Sequence, residues 1–324
     1  MDFDALDRCA REPCGERGPE AGASNIGPEA SEAGDSEIFA TGQPAVFALA
    51  RGPSTLYWTS EAPSGRVASC PLAACSTPTV LVSGGSPTAV VWSGHRLFWT
   101  DDDEADKSVG FTNDASGIGS VEMGQPSLWV TADTDAYVVQ KNGTLVKLVY
   151  DPPTGRASFL SFSTFAERVS TRDGAVAWTE RDGSVHVCAS GDCATVAESV
   201  VAKDQGATAI ALDDGLLFWA TSDGRIRSVT YTSTSFGSDI GEVADRLPEL
   251  SELAPDTTGS SLYFSARGTA LAGYADGIVG KVPKGGGAVT VLAHGQARPE
   301  GIVVTETHVY WANHNDGTIR RAPK

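Results

Sequence analysis

The sequence predicts an all-β protein, and three observations predict it. Thirty-six Gly and 17 Pro punctuate 324 residues, about one breaker in six, which leaves little room for helices of the ~11-residue average. A four-residue apolar signature returns at nearly constant spacing along the chain. Between signatures, short alternating or apolar runs of strand length are separated by turn formers such as Asn315-Asp316-Gly317.

In chain order, residues 1–35 come first and differ from the rest. They hold nine acidic side chains and three Arg among Gly, Ala, Pro and Ser, with Phe3, Leu6 and Ile26 as the only sizeable hydrophobes. Too little can be buried there to offset chain entropy, so the segment is expected to be a disordered acidic tail or tether. It has no basic n-region and no apolar h-region, so it is not itself a signal peptide.

From residue 36 to 324 the chain reads as one domain of repeats. The signature occurs as Leu56-Tyr57-Trp58-Thr59, Leu97-Phe98-Trp99-Thr100, Ala136-Tyr137-Val138-Val139, Val176-Ala177-Trp178-Thr179, Leu217-Phe218-Trp219-Ala220, Leu262-Tyr263-Phe264-Ser265 and Val309-Tyr310-Trp311-Ala312. Its third residues are separated by 41, 39, 40, 41, 45 and 47 positions. Each unit carries an apolar run, the signature, an alternating strand and a last apolar strand, which is the pattern of a four-stranded propeller blade. The seventh unit stops after its third strand, Thr318 to Ala322. The missing strand is supplied by Glu37-Ile38-Phe39-Ala40-Thr41-Gly42-Gln43, which matches Thr290 to Gln296 in pattern. A ring closed in this way has no open sheet edge between its first and last blades. The expected architecture is therefore a seven-bladed β-propeller closed by an N-terminal strand.

Leu97-Phe98-Trp99-Thr100-Asp101 and Leu56-Tyr57-Trp58-Thr59 resemble the YWTD, or low-density-lipoprotein-receptor class B, repeat. The resemblance runs along nearly the whole chain and implies a propeller. Only Asp101 supplies the motif's fourth residue, and that family normally closes with six blades, so its receptor function is not carried over. The unit is also similar to repeats of secreted bacterial propeller proteins, which share its cysteine-bearing strand ends.

Net charge is −17 with 41 acidic against 24 basic residues, which would repel a polyanion and excludes nucleic acid as a partner. No run approaches the roughly 18 apolar residues that cross a bilayer, and a soluble monomer is expected. The six Cys form three pairs of identical spacing, Cys9 and Cys14, Cys70 and Cys75, Cys188 and Cys193. The second and third pairs fall at the hairpin from third to fourth strand, where facing residues lie within disulfide reach. Zinc is the rival reading, but the half-site spacing and a following His are absent. Three local disulfides imply an oxidising compartment, hence an extracellular, periplasmic or cell-surface protein whose leader is absent from this sequence.

In propellers, inter-blade connections and the turns between second and third strands share one face around the channel mouth. On that face the sequence places an acidic run in which Asp101, Asp103 and Asp106 offer carboxylates to Ca²⁺ or another divalent metal, or form a solvated hairpin tip. Glu249 and Glu300 each follow a Pro at the start of neighbouring inner strands, and with His294 or His314 they have the residue types of a metal site or an acid and base pair. The last two blades also carry the long turn from Ala266 to Gly277 with Tyr274, together with Arg298 and Asp316; loops longer than the scaffold requires are where binding groups collect. No GxSxG, HExxH or P-loop occurs, and Asn25, Asn113, Asn142, Asn313 and Asn315 all lie in turns or the tail, unlike the inner-strand ligands of propeller lactonases. The expected function is an exported, non-enzymatic binding propeller for a protein, peptide or glycan, its site formed by Glu249, Tyr274, His294, Arg298, Glu300, His314 and Asp316. The alternative is a metal-dependent hydrolase or lyase at the channel mouth.

Overall fold

The computed structural model describes residues 36–61, 65–93, 96–103, 107–112, 117–133, 135–151, 156–163, 165–188, 199–203, 205–232 and 236–324. The tail, Cys9, Cys14, Asp106 and Cys193 lie outside the described residues. The strands assemble into seven four-stranded antiparallel sheets. Six take their strands consecutively from the axis outward, beginning with Val46–Arg51, Pro87–Ser93, Ser127–Ala132, Ala166–Arg172, Ala207–Asp213 and Leu250–Pro255. The seventh runs Pro299–Val304, His308–Asn313, Thr318–Pro323 and then Glu37–Ala40. Glu37 pairs with Arg321, Ile38 with Arg320 and Ala40 with Ile319, so the ring closes by the N-terminal strand.

The signature forms the second strand of every blade, and its third residue faces the neighbouring blade. Trp58, Trp178, Trp219 and Trp311 are fully buried. Trp58 packs with Phe39, Tyr310, Ala312 and Ile319 of the seventh blade. Trp219 packs with Ala175, Ala177, Val185 and Val187 of the fourth. Burying so large a surface at each junction is the main apolar contribution to holding the blades together. Trp99 lies so close over Gly110 that a Cβ there would fall 2.0 Å from the indole, so the third strand of that blade requires Gly.

Hydroxyls after the aromatic link the inner strands across blades. Thr59 Oγ1 donates to Thr88 O at 3.3 Å, and Ser265 Oγ bonds Glu300 O at 2.5 Å. These bonds satisfy polar atoms that the junctions bury.

Every inner strand carries a bulge near its start, for example between Ala166 and Arg168, between Leu250 and Glu252, and between Pro299 and Ile302. The register opposite the signature aligns Leu49, Val90, Val130, Val169, Ile210, Leu253 and Ile302. Counting back from these residues, Glu249 matches Arg298, and Glu300 matches Ser251. Glu249 and Glu300 therefore do not hold equivalent positions. Pro299 is itself the first paired residue of its strand, whereas Pro248 precedes the first paired residue, Leu250, by two, so an alignment on the two prolines is out by two positions.

Cys70 and Cys75 form a disulfide across the turn that follows the third strand of the first blade, Arg66–Pro71. Cys188 is disulfide-bonded as well, and its partner lies outside the described residues. Among the described residues no helix is long and apolar enough to cross a membrane.

Candidate functional site

The residue just before each aligned position points into the channel, and the seven together form a ring of Ala48, Ala89, Trp129, Arg168, Ala209, Glu252 and Gly301. Four are small and three are large. Gly301 is required by close approach, because a Cβ there would meet Phe47 O at 2.6 Å. The Arg168 guanidinium stacks 3.8 Å over the Trp129 ring, and Phe47 meets Trp129 at a tilt with 6.0 Å between centroids. This pile divides the channel. One chamber of about 470 Å³ runs along the inner strands toward Arg51, Trp92 and Pro255 at their far ends. The other, of about 320 Å³, opens at the mouth between Lys141, Arg181, Glu249 and Arg267.

Around the mouth the last two blades build a charge network. Glu300, nearly fully buried, accepts from Arg267 Nε at 2.8 Å and from Arg298 Nε at 2.9 Å. Arg267 reaches outward with Nη1 to Glu249 Oε1 at 3.0 Å. Burial pushes the Arg267 pKa down, but Glu300 and Glu249 more than offset it, and the guanidinium holds its proton more tightly than usual. Arg298 also lies 5.7 Å from the Tyr274 ring centroid, and its backbone N–H donates to Tyr274 O at 2.8 Å.

Tyr274 and Arg298 both occupy the left-handed backbone region, with φ of 60° and 56°. Ala45, which precedes its inner strand as Arg298 does, shares the conformation at φ 48°, so for Arg298 it belongs to the blade junction. For Tyr274 no blade-junction residue repeats it, and the long turn holds it there. That turn is braced by Asp276, which accepts from Thr269 N at 2.7 Å and Thr269 Oγ1 at 2.8 Å. Strain of this kind is retained where surrounding contacts over-determine it, and it gathers at functional sites.

His314 joins the network through its backbone, whose N–H donates to Arg298 O at 3.0 Å. Its Nε2 stands 3.4 Å from Glu61 Oε2, linking the seventh blade to the first. The hydrogen bond to Glu61 raises the His314 pKa against the opposing effect of burial.

Five of the expected residues, Glu249, Tyr274, Arg298, Glu300 and His314, are thus brought together. Two are not. His294 lies exposed in the outer strand Thr290–Gln296, the part of the blade farthest from the axis. Asp316 is exposed and accepts from Thr318 N and Oγ1 at 2.9 and 2.7 Å, bracing its own turn. Asp101 is buried, with Oδ1 accepting from Ser86 N and Asp103 N at 2.8 Å each. Among the described residues no group of three His, Cys, Asp or Glu side chains converges in a metal-binding arrangement.

Arg267, Trp129, Arg168 and Glu252 were not singled out by the sequence. One signal was present: of seven Trp, five lie in signatures and two, Trp92 and Trp129, lie in inner strands, where they line the channel.

The fold and the channel define the class, a seven-bladed β-propeller. Virginiamycin B lyase from Staphylococcus aureus, in a catalytically inactive histidine variant with quinupristin, superposes with a TM-score of 0.69 at 14% identity, over 89% of this chain and 98% of that chain. A chain of the mitotic checkpoint complex matches with a TM-score of 0.70 at 10% identity over 92% and 94%. YCF48 from Cyanidioschyzon merolae matches with a TM-score of 0.66 at 10% identity over 89% and 98%. At these identities the likeness is one of fold, and it spans an enzyme as well as proteins not named as enzymes. No protein-family model and no curated protein matches the sequence.

Proposed function

We propose that this chain is an exported, monomeric binding propeller that recognises a protein, peptide or glycan at the channel mouth of its last two blades. The observation that carries the proposal is the sharing of Glu300 between Arg267 and Arg298. Both guanidinium groups are held in place, one under Glu249 and the other against Tyr274, so the mouth presents a rigid charged and aromatic surface. Pre-ordered Arg and Tyr side chains lose little entropy on binding and are typical anchors of interfaces. The same pairing argues against Glu249 and Glu300 as metal ligands, since their oxygens already accept from cations. The Cys70–Cys75 disulfide supports export, as does the similarity of the repeats to YWTD units and to secreted bacterial propellers.

The second reading, a hydrolase or lyase, rests on the Glu61 and His314 pair. A histidine whose pKa is raised by a carboxylate at a cleft mouth has the form of a general acid.

Peptide and glycan arrays probed with the wild type and with Arg298→Ala/Glu300→Gln separate these readings. Capture that the double variant loses while Asp103→Ala keeps it supports binding at this mouth. Capture unchanged in the double variant refutes that site. Turnover of an arrayed lactone or cyclic peptide, abolished in His314→Ala, establishes the second reading.

A further inference from the structure

Arg168 has no ion-pair partner among the described residues. Its Nε donates to Thr208 O at 3.1 Å, its face rests on Trp129, and its terminal nitrogens have no acceptor among the described residues. Glu252 is the carboxylate that the channel ring sets nearest in kind, yet it forms no ion pair with Arg168; its Oε2 instead accepts from Ile302 N at 3.1 Å. Arg168 is half-buried at the chamber wall with carboxylates near it but none among the described residues in hydrogen-bonding contact, so the terminal edge of its guanidinium is open to an anionic group that enters. Both groups border the 470 Å³ chamber.

The rest of that chamber is chemically different from its polar end. Ala48, Ala50, Val90, Ala209, Ala211 and Val303 supply apolar walls, and exposed Arg51 marks the far end of the inner strands. A ligand that fits must carry a single negative charge at one end and an apolar body at the other. A dianion would meet the carboxylates of Glu252 and Glu300 beside Arg168.

We propose that this chamber binds small organic monocarboxylates with an apolar body, the ligand carboxylate accepting a bidentate pair of hydrogen bonds from the terminal nitrogens of Arg168. The site lies across the Trp129 and Arg168 pile from the mouth assigned above and does not depend on that assignment. Enclosure strengthens a charge-assisted pair of this kind and gives it direction.

The electrostatics agree with the geometry. Burial lowers the Arg168 pKa to about 10, with Arg267 adding to the effect and Glu252, Glu300 and Glu167 opposing it. Burial pushes Glu252 up to about 7, while the Ile302 N–H and Arg168 pull it down and Glu300 raises it further. A bound carboxylate beside Glu252 favours its protonated form, so above about pH 7 binding takes up a proton. Affinity then falls by up to about tenfold per pH unit.

Calorimetric titration of the full chain with octanoate and 4-phenylbutyrate, each against its primary amide, at pH 6 and pH 8.5, tests the proposal. Both acids are expected to bind at pH 6, at least about tenfold more tightly than the amides, which corresponds to the loss of one charge-assisted contact. Binding should weaken at pH 8.5. Arg168→Met should abolish the preference for acid over amide, and Glu252→Gln should keep binding while flattening the pH dependence. The proposal is overturned if neither acid binds at pH 6, if acid and amide bind equally, if octylamine is preferred, or if folded Arg168→Met binds the acids unchanged. Should Arg168→Met not fold, the contrast between acid and amide on the unaltered protein decides.

Discussion

Gln43 accepts the indole N–H of Trp58 at 3.0 Å, and the geometry is that of Gln296 with Trp311 at 2.9 Å. In both pairs the glutamine also turns its Nε2 back to the carbonyl two residues earlier, Thr41 O in one case and His294 O in the other. Gln43 thus relates to the strand Glu37–Ala40 as Gln296 relates to Thr290–Gln296, which makes the N-terminal strand the outer strand of the seventh blade in chemistry as well as in position. Gln43→Ala leaves a buried indole N–H unpaired and removes an acceptor from Arg66 Nη2. It should destabilise by about 1–3 kcal/mol, measured by denaturant unfolding.

Removal of the closing strand has a larger effect than removal of the tail. Deletion of residues 1–34 should leave the melting temperature unchanged. Deletion of residues 1–43 exposes the edge of Thr318–Pro323 and uncovers Tyr310, which Phe39 contacts edge-on at 5.2 Å. This second form should melt lower and aggregate on heating. Equal melting curves for the two truncations would be incompatible with closure by this strand.

Two buried tryptophans should answer differently to the same substitution. Trp311 Nε1 donates to Gln296, whereas Trp219 Nε1 has no partner among the described residues. Trp311→Phe loses volume and one of the two hydrogen bonds that Gln296 Oε1 accepts, leaving that from Asn313 Nδ2, but Trp219→Phe loses volume while removing an unsatisfied donor. Trp311→Phe should therefore be the more destabilising by about 1–3 kcal/mol in paired unfolding experiments.

Much of the blade order was legible because the signature joins a large aromatic residue to a small hydroxyl or apolar one, and each junction needs both. Even Ala136-Tyr137-Val138-Val139, which lacks Trp, occupies a fully buried second strand. The inner strands were less legible. The Pro before each Glu suggested the alignment, but Pro248 lies two residues ahead of the first paired residue Leu250 whereas Pro299 is itself the first paired residue, so Glu249 and Glu300 were aligned two steps away from their true frame. Arg267 was missed because it follows a signature, where a turn residue was expected, and only the fold carries its guanidinium to Glu300.

Acid should affect the ring at two sites with the same sign. The folded-state pKa of Glu252 is raised to about 7 from 4.5, so its contribution is most favourable below 4.5 and is lost as pH rises through about 7. Glu252→Gln should therefore be more stable than the wild type at pH 8, on the order of 2–3 kcal/mol, and near it at pH 4.5. His314 is raised above its ordinary 6.5, so what its contact with Glu61 contributes is present below 6.5 and lost as pH rises past the raised value. His314→Ala should reduce the melting temperature at pH 6 more than at pH 9; a loss independent of pH would remove the electrostatic account.

The antiparallel pairing of Glu37 with Arg321 puts residues 36 and 324 at the same end of one two-strand seam. Tension applied between those residues would peel the seam one hydrogen bond at a time, instead of shearing all of them together. The closure that resists heat is thus mechanically a zipper, and an optical-trap measurement pulling through residues 36 and 324 should record the first rupture at low force, with the other six blades still folded.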